Sequence, residues 1–279
     1  MNILKVEGVV VAGIRQVEPM LFFQNISREN EKEVRGLSDI ARSIGFRSVP
    51  FQSRQHKAFS RTICGNYFGD RISPVHSSVV SAAEGEAAAY EILTSDMGED
   101  LGAVWESFGR QLVWIRDVCK GRAFYLTEDG ICGLAPLLAN QGDIVTVLLG
   151  CRSPIVLRPT IVGRYKVVGE AYCDGFMDGE ALLGALPDSF EAILRHGGNG
   201  GGGRGYRWAY LNKVTGNFQV EDPRRGPLPP GWDIVSHAEE EFWQLFKNNE
   251  TGAETACDPR LTSGELRRRG VPLQVFDLV

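Results

Sequence analysis

The sequence predicts an α+β protein in which helices pack on a small central antiparallel β-barrel or sandwich, followed by a C-terminal β extension. Between residues 121 and 181, short runs of β-branched and aromatic residues alternate with turn signals. Before that region, apolar residues recur at helical spacing. We expect a core domain over residues 1–196 with the β unit at 121–181, a glycine-rich linker over 197–205 and the β extension over 206–279.

Composition is that of a globular protein, with 43% hydrophobic and 23% charged residues in a chain of 279. The net charge of −5 lacks the basic balance of nucleic-acid binders, so we expect no nucleic-acid partner. No apolar run approaches the roughly 18 residues of a membrane span, and the N-terminus has no cleavable signal pattern. We expect a cytoplasmic protein with no membrane span.

The six cysteines and four histidines give no pattern of a metal or redox site. The cysteines are widely spaced without a CxxC pair, and no histidine stands in HExxH or beside a paired ligand. We therefore expect reduced core cysteines, no metal and no cofactor.

One strand and three helices are predicted before the β unit. Residues Ile3–Val11 read as a strand. From Asn30 to Ile44 the apolar residues fall on one helical face, and Gly45 follows at the position of a left-handed C-cap. The segments Val79–Thr94 and Leu101–Cys119 predict two further helices, the second with a sustained apolar stripe.

The β unit contains four runs of strand length, and a short helix is predicted after it. The runs are Ala123–Leu126, Ile144–Leu149, Pro154–Leu157 and Tyr165–Val168. Residues Asp188–Leu194 predict the short helix, which leads into the glycine-rich linker.

Three motifs of the β unit occur together. They are R-x-F-x-x-T-x-x-G-x-x-G-L-x-P at residues 122–136, G-D-x-V-x-V-L-x-G-C-x-x-P-x-V-L-R-P at 142–159, and V-G-E-x-Y with M-D-G-E-A at 168–181. This set resembles the region that follows the HET domain in fungal heterokaryon-incompatibility (HET) proteins. The sequence F-S-R-T-I at 59–63 also resembles the family's F-x-R-T-L element, with Arg61 and Thr62 as the polar pair.

The resemblance implies a HET-type protein with an interaction or regulatory role in non-self recognition. Because Ile3–Val11 resembles the strand that follows the HET domain, it also implies that the HET domain is not part of this chain. Cys173-Asp174 stands where the family usually carries Val-His, so no role for that histidine carries over. The alternative is a cofactor-independent enzyme of fungal secondary metabolism, such as a cyclase or isomerase, that binds a hydrophobic small molecule.

A degenerate repeat occupies the C-terminal end. Tyr210–Arg224 recurs, shifted by 36 residues, as Phe246–Arg260, with matching aromatic, Asn, Thr-Gly and Asp-Pro-Arg positions. With the intervening L-P-P-G-W these repeats resemble the WW module, a three-stranded sheet that binds proline-rich peptides. The module's second tryptophan falls at Val220 and Ala256. Packing of the two units together or on the β unit is therefore favoured, with a peptide-binding adaptor as the alternative.

The acids of the third motif, at residues 168–181, are the candidates for catalysis. Closely spaced carboxylates on a turn can hold a cation or raise one another's pKa for acid–base work. An enzyme of this kind would use Glu170, Asp174, Asp178 and Tyr172. Capping of turns and of a helix that begins near Gly179 explains the same acids and is favoured.

Two arginines and three aromatic residues are the candidates for ligand binding. They are Arg61, Trp105, Phe108, Tyr125 and Arg158. An arginine could bind an anion, and the aromatic stripe could line a cavity. Buried ion pairs and core packing explain the same residues. The partner itself, a protein or a hydrophobic small molecule, is not identified by the sequence.

Overall fold

The computed structural model describes residues 3–20, 30–43, 46, 50–68, 72–73, 80–94, 101–196, 206–235 and 245–279. The elements in chain order are β1 (Leu4–Pro19), α1 (Asn30–Ser43), α2 (Arg54–Ile63), β2 (Ile72–Ser73), α3 (Ala82–Thr94), α4 (Leu101–Cys119), β3 (Arg122–Thr127), β4 (Cys132–Pro136), β5 (Ile144–Leu148), β6 (Ile155–Pro159), β7 (Tyr165–Glu170), β8 (Tyr172–Cys173), α5 (Glu180–Leu183), β9 (Phe190–His196), β10 (Tyr206–Asn212), β11 (Phe218–Gln219), β12 (Trp232–Val235), β13 (Leu245–Asn248), β14 (Glu254–Thr255), a short 3₁₀ helix (Pro259–Leu261), α6 (Ser263–Arg268) and β15 (Gln274–Leu278). The α+β class predicted from the sequence is confirmed.

A single long strand, β1, joins most of the β structure. Its first residues pair with β15, its middle with β5 and its last residues with β3, all antiparallel. Irregularities in the register between Val10 and Ala12, and between Ile14 and Gln16, bend the strand between these partners. The strand predicted for residues 3–11 is thus the first half of a longer one.

The barrel closes through strands from both ends of the chain. Neighbour pairing runs β1, β5, β6, β7, β15 and back to β1, which makes a closed ring of five strands. Closure removes the free edges that an open sheet would expose. The central barrel predicted from residues 121–181 is present, but β1 and β15 complete it, and β15 comes from the segment predicted as part of the C-terminal extension.

Gly8 lies where β1 is paired on both edges, with Leu148 on one side and Gln274 on the other. A Cβ atom at this position would lie 2.5 Å from the carbonyl oxygen of Val147. Because real Cβ atoms do not approach backbone that closely, any side chain here would push β5 away from β1. Glycine therefore permits the closure.

Strand β3 is buried on both faces because it lies between the barrel and the helices. Phe124 and Leu126 belong to a core shared with the helices, whereas Tyr125 points into a core formed with barrel residues such as Val145 and Val156. Alternation of side chains across the strand produces this division. A third cluster of Leu148, Leu157 and Phe276 fills the other part of the barrel.

Helix α2 is tied to its neighbours by a buried histidine. Ser53 caps the helix by accepting a hydrogen bond from the His56 main-chain N–H. The His56 ring accepts from the Gln52 N–H at Nδ1 and donates through Nε2 to the carbonyl of Glu86 in α3. Burial lowers the pKa of His56, so the ring stays neutral in this arrangement.

One predicted element is wrong, and two predictions lie outside the described residues. Residues 190–196 form strand β9 rather than part of a helix over 188–194, because each residue pairs with β10 from Tyr206 to Asn212. Gly45 and the linker 197–205 are not described. Across the described residues, no helix is both long enough and apolar enough to cross a membrane.

The two repeat copies have the same local geometry. Asn212 and Asn248 each accept two main-chain N–H bonds in the turn that contains Thr-Gly. In both copies the aspartate of Asp-Pro-Arg binds the side chain and the main-chain N–H of the arginine two residues later. The second copy is a three-stranded antiparallel sheet, β12, β13 and β14, as the WW resemblance implies, although membership in that module stays a prediction.

Buried arginines join the copies to each other and to the segment after the barrel. Arg224 donates to the carbonyl of Gly184, which follows α5. Arg225 donates to the carboxylate of Asp258, and Arg260 donates to the carbonyl of Gly226. The repeats therefore pack on each other and on the core through hydrogen-bonded charges.

Truncation of Phe276, which is fully buried in β15, tests the contribution of the last strand to the barrel. We expect Phe276→Ala to lower the free energy of unfolding by about 3–5 kcal/mol, because it leaves a cavity among Leu148 and Leu157. Val275→Thr, at an exposed site on the same strand, is the control and should change stability by no more than about 0.5 kcal/mol. Urea unfolding measures both, and a loss below about 1 kcal/mol in Phe276→Ala would contradict the closed barrel.

The pH dependence of stability tests the repeat ion pairs. Burial by itself raises the pKa of Asp222, but hydrogen bonds from Arg224 and Tyr210 outweigh it and hold the pKa below its ordinary 3.8. A lowered folded-state pKa stabilises the fold above the unfolded pKa, and the stabilisation is lost as the pH falls through the folded value. We expect Asp222→Asn to destabilise by about 3–5 kcal/mol at pH 7, since Arg224 is left buried and unpaired.

The difference in the free energy of unfolding between the wild type and Asp222→Asn should be constant down to about pH 5 and should become smaller below about pH 4. Urea unfolding at several pH values measures it. Asp129→Asn, at an exposed turn residue, is the control and should show almost no difference from the wild type. If the difference in the free energy of unfolding between the wild type and Asp222→Asn were the same at the lowest pH as at pH 7, the charge of Asp222 would not be what stabilises the fold.

Candidate functional site

A bidentate ion pair joins helix α2 to the end of β8. Arg61 Nε lies 2.7 Å from Asp174 Oδ1, and Arg61 Nη2 lies 2.8 Å from Asp174 Oδ2. The helix buries Phe59 and Ile63, four residues apart, and places Arg61 between them in sequence at the edge of the core. The Asp174 side chain is 11% exposed and that of Arg61 is 36% exposed. These hydrogen bonds raise the pKa of Arg61.

Tyr172 belongs to the same cluster. Its hydroxyl donates to Asp174 Oδ1 at 3.1 Å. Burial, and then the negative charge of Asp174, raise the pKa of Tyr172 well above its ordinary value. The tyrosine is therefore a neutral donor that helps to hold the carboxylate, not a base.

The thiols beside the pair are also protonated. Cys132 Sγ lies 3.2 Å from the hydroxyl of Thr62. Burial raises the pKa of Cys132 and of Cys173 to about 12 in each case. Since the thiolate is the nucleophile and the metal ligand, neither cysteine is activated at neutral pH.

The four predicted catalytic residues do not all converge. Tyr172 and Asp174 meet at Arg61, whereas the Glu170 side chain is exposed at the end of β7. The Asp178 N–H donates to Glu180 Oε2 at 2.8 Å at the start of α5, so an acid of this segment does support the turn before the helix. Within the described residues, no group of histidines, cysteines and acids could hold a metal ion.

The predicted ligand-binding residues are divided among separate sites. Phe108 packs on the helical core, and Tyr125 lies in the barrel core with its hydroxyl donating to the Tyr172 carbonyl at 3.0 Å. The side chain of Trp105 lies outside the described residues. Arg158 makes a second bidentate pair, with Asp143 at 2.8 and 2.9 Å, and also donates to the Leu138 carbonyl.

Strand β4 approaches Tyr125 and Tyr172 so closely that the position of Gly133, in the first motif, requires glycine. A Cβ atom at Gly133 would lie 2.3 Å from the Tyr125 hydroxyl oxygen and 2.1 Å from the carbonyl oxygen of Tyr172. Gly133 therefore permits the hydrogen bond between these two tyrosines. The two tyrosines and Gly133 are thus packed tightly against one another.

A concave site that the sequence did not indicate lies between the core and the first repeat. We call it the seam cavity. Its volume is about 500 Å³, and its walls are formed by Arg152, Met177, Asp178, Gly179, Leu182, Leu183, Ala192, Trp208, Tyr210, Asp222, Arg225 and Leu261. Asp178 was a candidate for catalysis, but no sequence signal indicates that these residues form one site, because they come from separate segments that meet only in the folded chain. Asp143 was missed as well, although its motif also contains the oppositely charged Arg158.

Comparison with known proteins agrees with the motifs of the β unit. Residues 107–190 match the family described as Het-6 beta-barrel domain. The chain is 48% identical over 78 residues to heterokaryon incompatibility protein 6, OR allele, of Neurospora crassa. This alignment covers 26% of the chain and 11% of the Neurospora protein. No solved structure matches the chain. The span of the family match contains three of the five barrel strands, β5, β6 and β7, while β1 and β15 lie outside it.

A double-mutant cycle on Arg61→Gln and Asp174→Asn tests the central ion pair. We expect a coupling energy of about 1–2 kcal/mol in unfolding, because two charge-assisted hydrogen bonds are lost from a partly buried site. The matched control is the pair Arg42 and Asp39 in α1, in which the arginine side chain is 35% exposed, close to the 36% of Arg61, but that of the aspartate is 49% exposed. There Arg42→Gln and Asp39→Asn should couple by no more than about 0.5 kcal/mol. Equal coupling in the two cycles would show that the Arg61 pair has no special structural weight.

Proposed function

We propose that this chain, a heterokaryon-incompatibility-type protein whose residues 107–190 match the Het-6 β-barrel domain, acts as an interaction module in fungal non-self recognition. The observation that carries the proposal is an exposed apolar tip on the barrel. Ile161 is fully exposed and its neighbour Val162 is 73% exposed. Both lie between β6 and β7, inside the span of the family match.

The tip is held rigidly by its own turn. The Thr160 hydroxyl donates to the Arg164 carbonyl at 2.9 Å, and the Thr160 main-chain N–H donates to the same oxygen at 2.8 Å. Gly163 takes the left-handed conformation with φ of 72°. A preordered loop loses little conformational entropy when a partner covers it, so its two β-branched side chains suit a protein contact.

The enzyme alternative has less support because three of its candidate residues, Asp174, Tyr172 and Tyr125, are engaged within the protein. Asp174 is paired with Arg61, and Tyr172 and Tyr125 are protonated and buried. An acid–base catalyst needs a group poised near the working pH and reachable by substrate. Burial raises the pKa of both tyrosines well above neutral pH, and the Asp174 side chain is only 11% exposed. A cyclase or isomerase would have to use Glu170, Asp178 or residues of another site.

The adaptor alternative has less support because neither repeat carries the second tryptophan of the WW module. A proline-rich peptide stacks on aromatic side chains in grooves of this kind. Val220 and Ala256, both exposed, occupy the two positions where the WW module has its second tryptophan. The first repeat instead packs on the core through the buried Arg224, and Arg225 joins it to the second repeat.

Heterokaryons test the proposal directly. A strain that carries the double variant Ile161→Asp and Val162→Asp should show incompatible cell death after fusion about tenfold less often than the wild type. The reason is that a charged side chain in an apolar contact weakens binding by more than the 1.4 kcal/mol that corresponds to a factor of ten. Dye uptake in fused cells, scored against a panel of tester strains, measures this frequency.

Val214→Asp is the matched control, since Val214 is an apolar residue that is 81% exposed in a turn of the first repeat. It should leave cell death unchanged, and all variants should keep the wild-type melting temperature. If deletion of the whole gene alters compatibility with none of the testers, the proposed role is wrong. If the tip variant behaves as the wild type while the deletion does not, the contact lies elsewhere.

A further inference from the structure

The seam cavity has the size and lining of a small-molecule site. Its volume of about 500 Å³ is within the range of roughly 300–1,000 Å³ typical of ligand pockets. Met177, Leu182 and Leu183 come from the core side, and Trp208 comes from β10 of the repeat. Trp208 is 47% exposed and both leucines are only half-buried. Large apolar side chains thus border a concave space that an apolar ligand would remove from water.

Two acids, Asp222 and Asp178, line the cavity, and the negative charge of Asp222 is already compensated. Asp222 accepts hydrogen bonds from the Tyr210 hydroxyl at 2.9 Å and from Arg224 Nε and Nη2 at 2.9 and 2.7 Å. The other acid of the lining, Asp178, is engaged within the protein as well. Neither acid therefore calls for a cationic ligand.

Of the two arginines of the lining, Arg225 has an unsatisfied buried donor and Arg152 is exposed. Arg225 uses Nη1 on Asp258, while its buried Nε has no hydrogen-bond partner among the described residues. Arg152 lies in the bend between β5 and β6, and it takes part in none of the ion pairs found among the described residues. Buried donors are nearly always satisfied in proteins, and a planar guanidinium matches a carboxylate in geometry.

We propose that the seam cavity binds a small organic acid, with its apolar body against Trp208, Leu182 and Leu183 and its carboxylate toward Arg152 and Arg225. Such a ligand would bridge the segment after the barrel and the first repeat. It would therefore stabilise their contact by mass action. The site is separate from the apolar tip at Ile161 and Val162, so the proposal does not rest on the role in non-self recognition.

Calorimetric titration of the full chain with 2-naphthoate tests the proposal, with 2-naphthalenemethanol as the neutral compound of the same body. We expect 2-naphthoate to bind at least about tenfold more tightly than the alcohol, since a hydrogen bond to a charged group is worth about 1.5–3 kcal/mol. Arg152→Ala should weaken naphthoate binding about tenfold and leave the alcohol unaffected. Arg54→Ala, at an exposed arginine outside the cavity, should change neither.

Two further variants locate the site. Leu183→Trp should fill the cavity and abolish binding of both compounds, whereas Leu138→Trp, at a residue that is 76% exposed elsewhere, should not. Trp208→Ala removes one wall without filling the core, and so it gives an answer even if Leu183→Trp does not fold. The proposal is overturned if no naphthoate binding is detected, if acid and alcohol bind equally, or if both Leu183→Trp and Trp208→Ala keep the wild-type affinity.

Discussion

The main-chain hydrogen bonds of β1 are the constraint on which the rest of the structure depends. This strand of 16 residues pairs in turn with β15, β5 and β3. Its first half closes the barrel and its second half extends into the strands that the helices cover. Pairing of β1 with β15 joins the two ends of the described chain, at a cost in chain entropy that only the completed barrel core offsets. The apolar residues of β15 and β5 then share one interior around Phe276.

The Arg61–Asp174 ion pair joins helix α2 to the β structure at the end of β8. Its partners are 113 residues apart in sequence, so the pair fixes how helix α2 sits on the sheet. Burial makes the nearby tyrosines and thiols poor bases and nucleophiles, because it disfavours their charged forms. The cluster of Arg61, Asp174 and Tyr172 holds helix α2 against the end of β8. The two proposed contact sites, the tip formed by Ile161 and Val162 and the seam cavity, share no residue with this cluster.

The repeats add a second layer of buried charge. Each Asp-Pro-Arg unit forms a closed ion pair, and the arginines of the two units reach carbonyls of the neighbouring segments. Directional hydrogen bonds of this kind fix the distance between two surfaces without filling all of the space between them. The seam cavity lies between the surfaces that these polar contacts hold in place, and the side chains of Trp208 and Leu183 form part of its lining.

The sequence by itself determined the α+β class, the strands β3, β5, β6 and β7 and the helices α1, α3, α4 and α5, because alternation, helical spacing and turn residues are local signals. It also indicated Asp174 and Tyr172 as candidates for catalysis and, separately, Arg61 as a candidate for ligand binding. Only the tertiary structure decided that β1 and β15 complete the barrel, that residues 190–196 are a strand, and that Arg61 meets Asp174. Strand pairing overrides local propensity, and contacts between distant residues leave no periodic mark in the chain. The seam cavity could not be predicted from the sequence for the same reason, because its lining forms only when separate segments pack together.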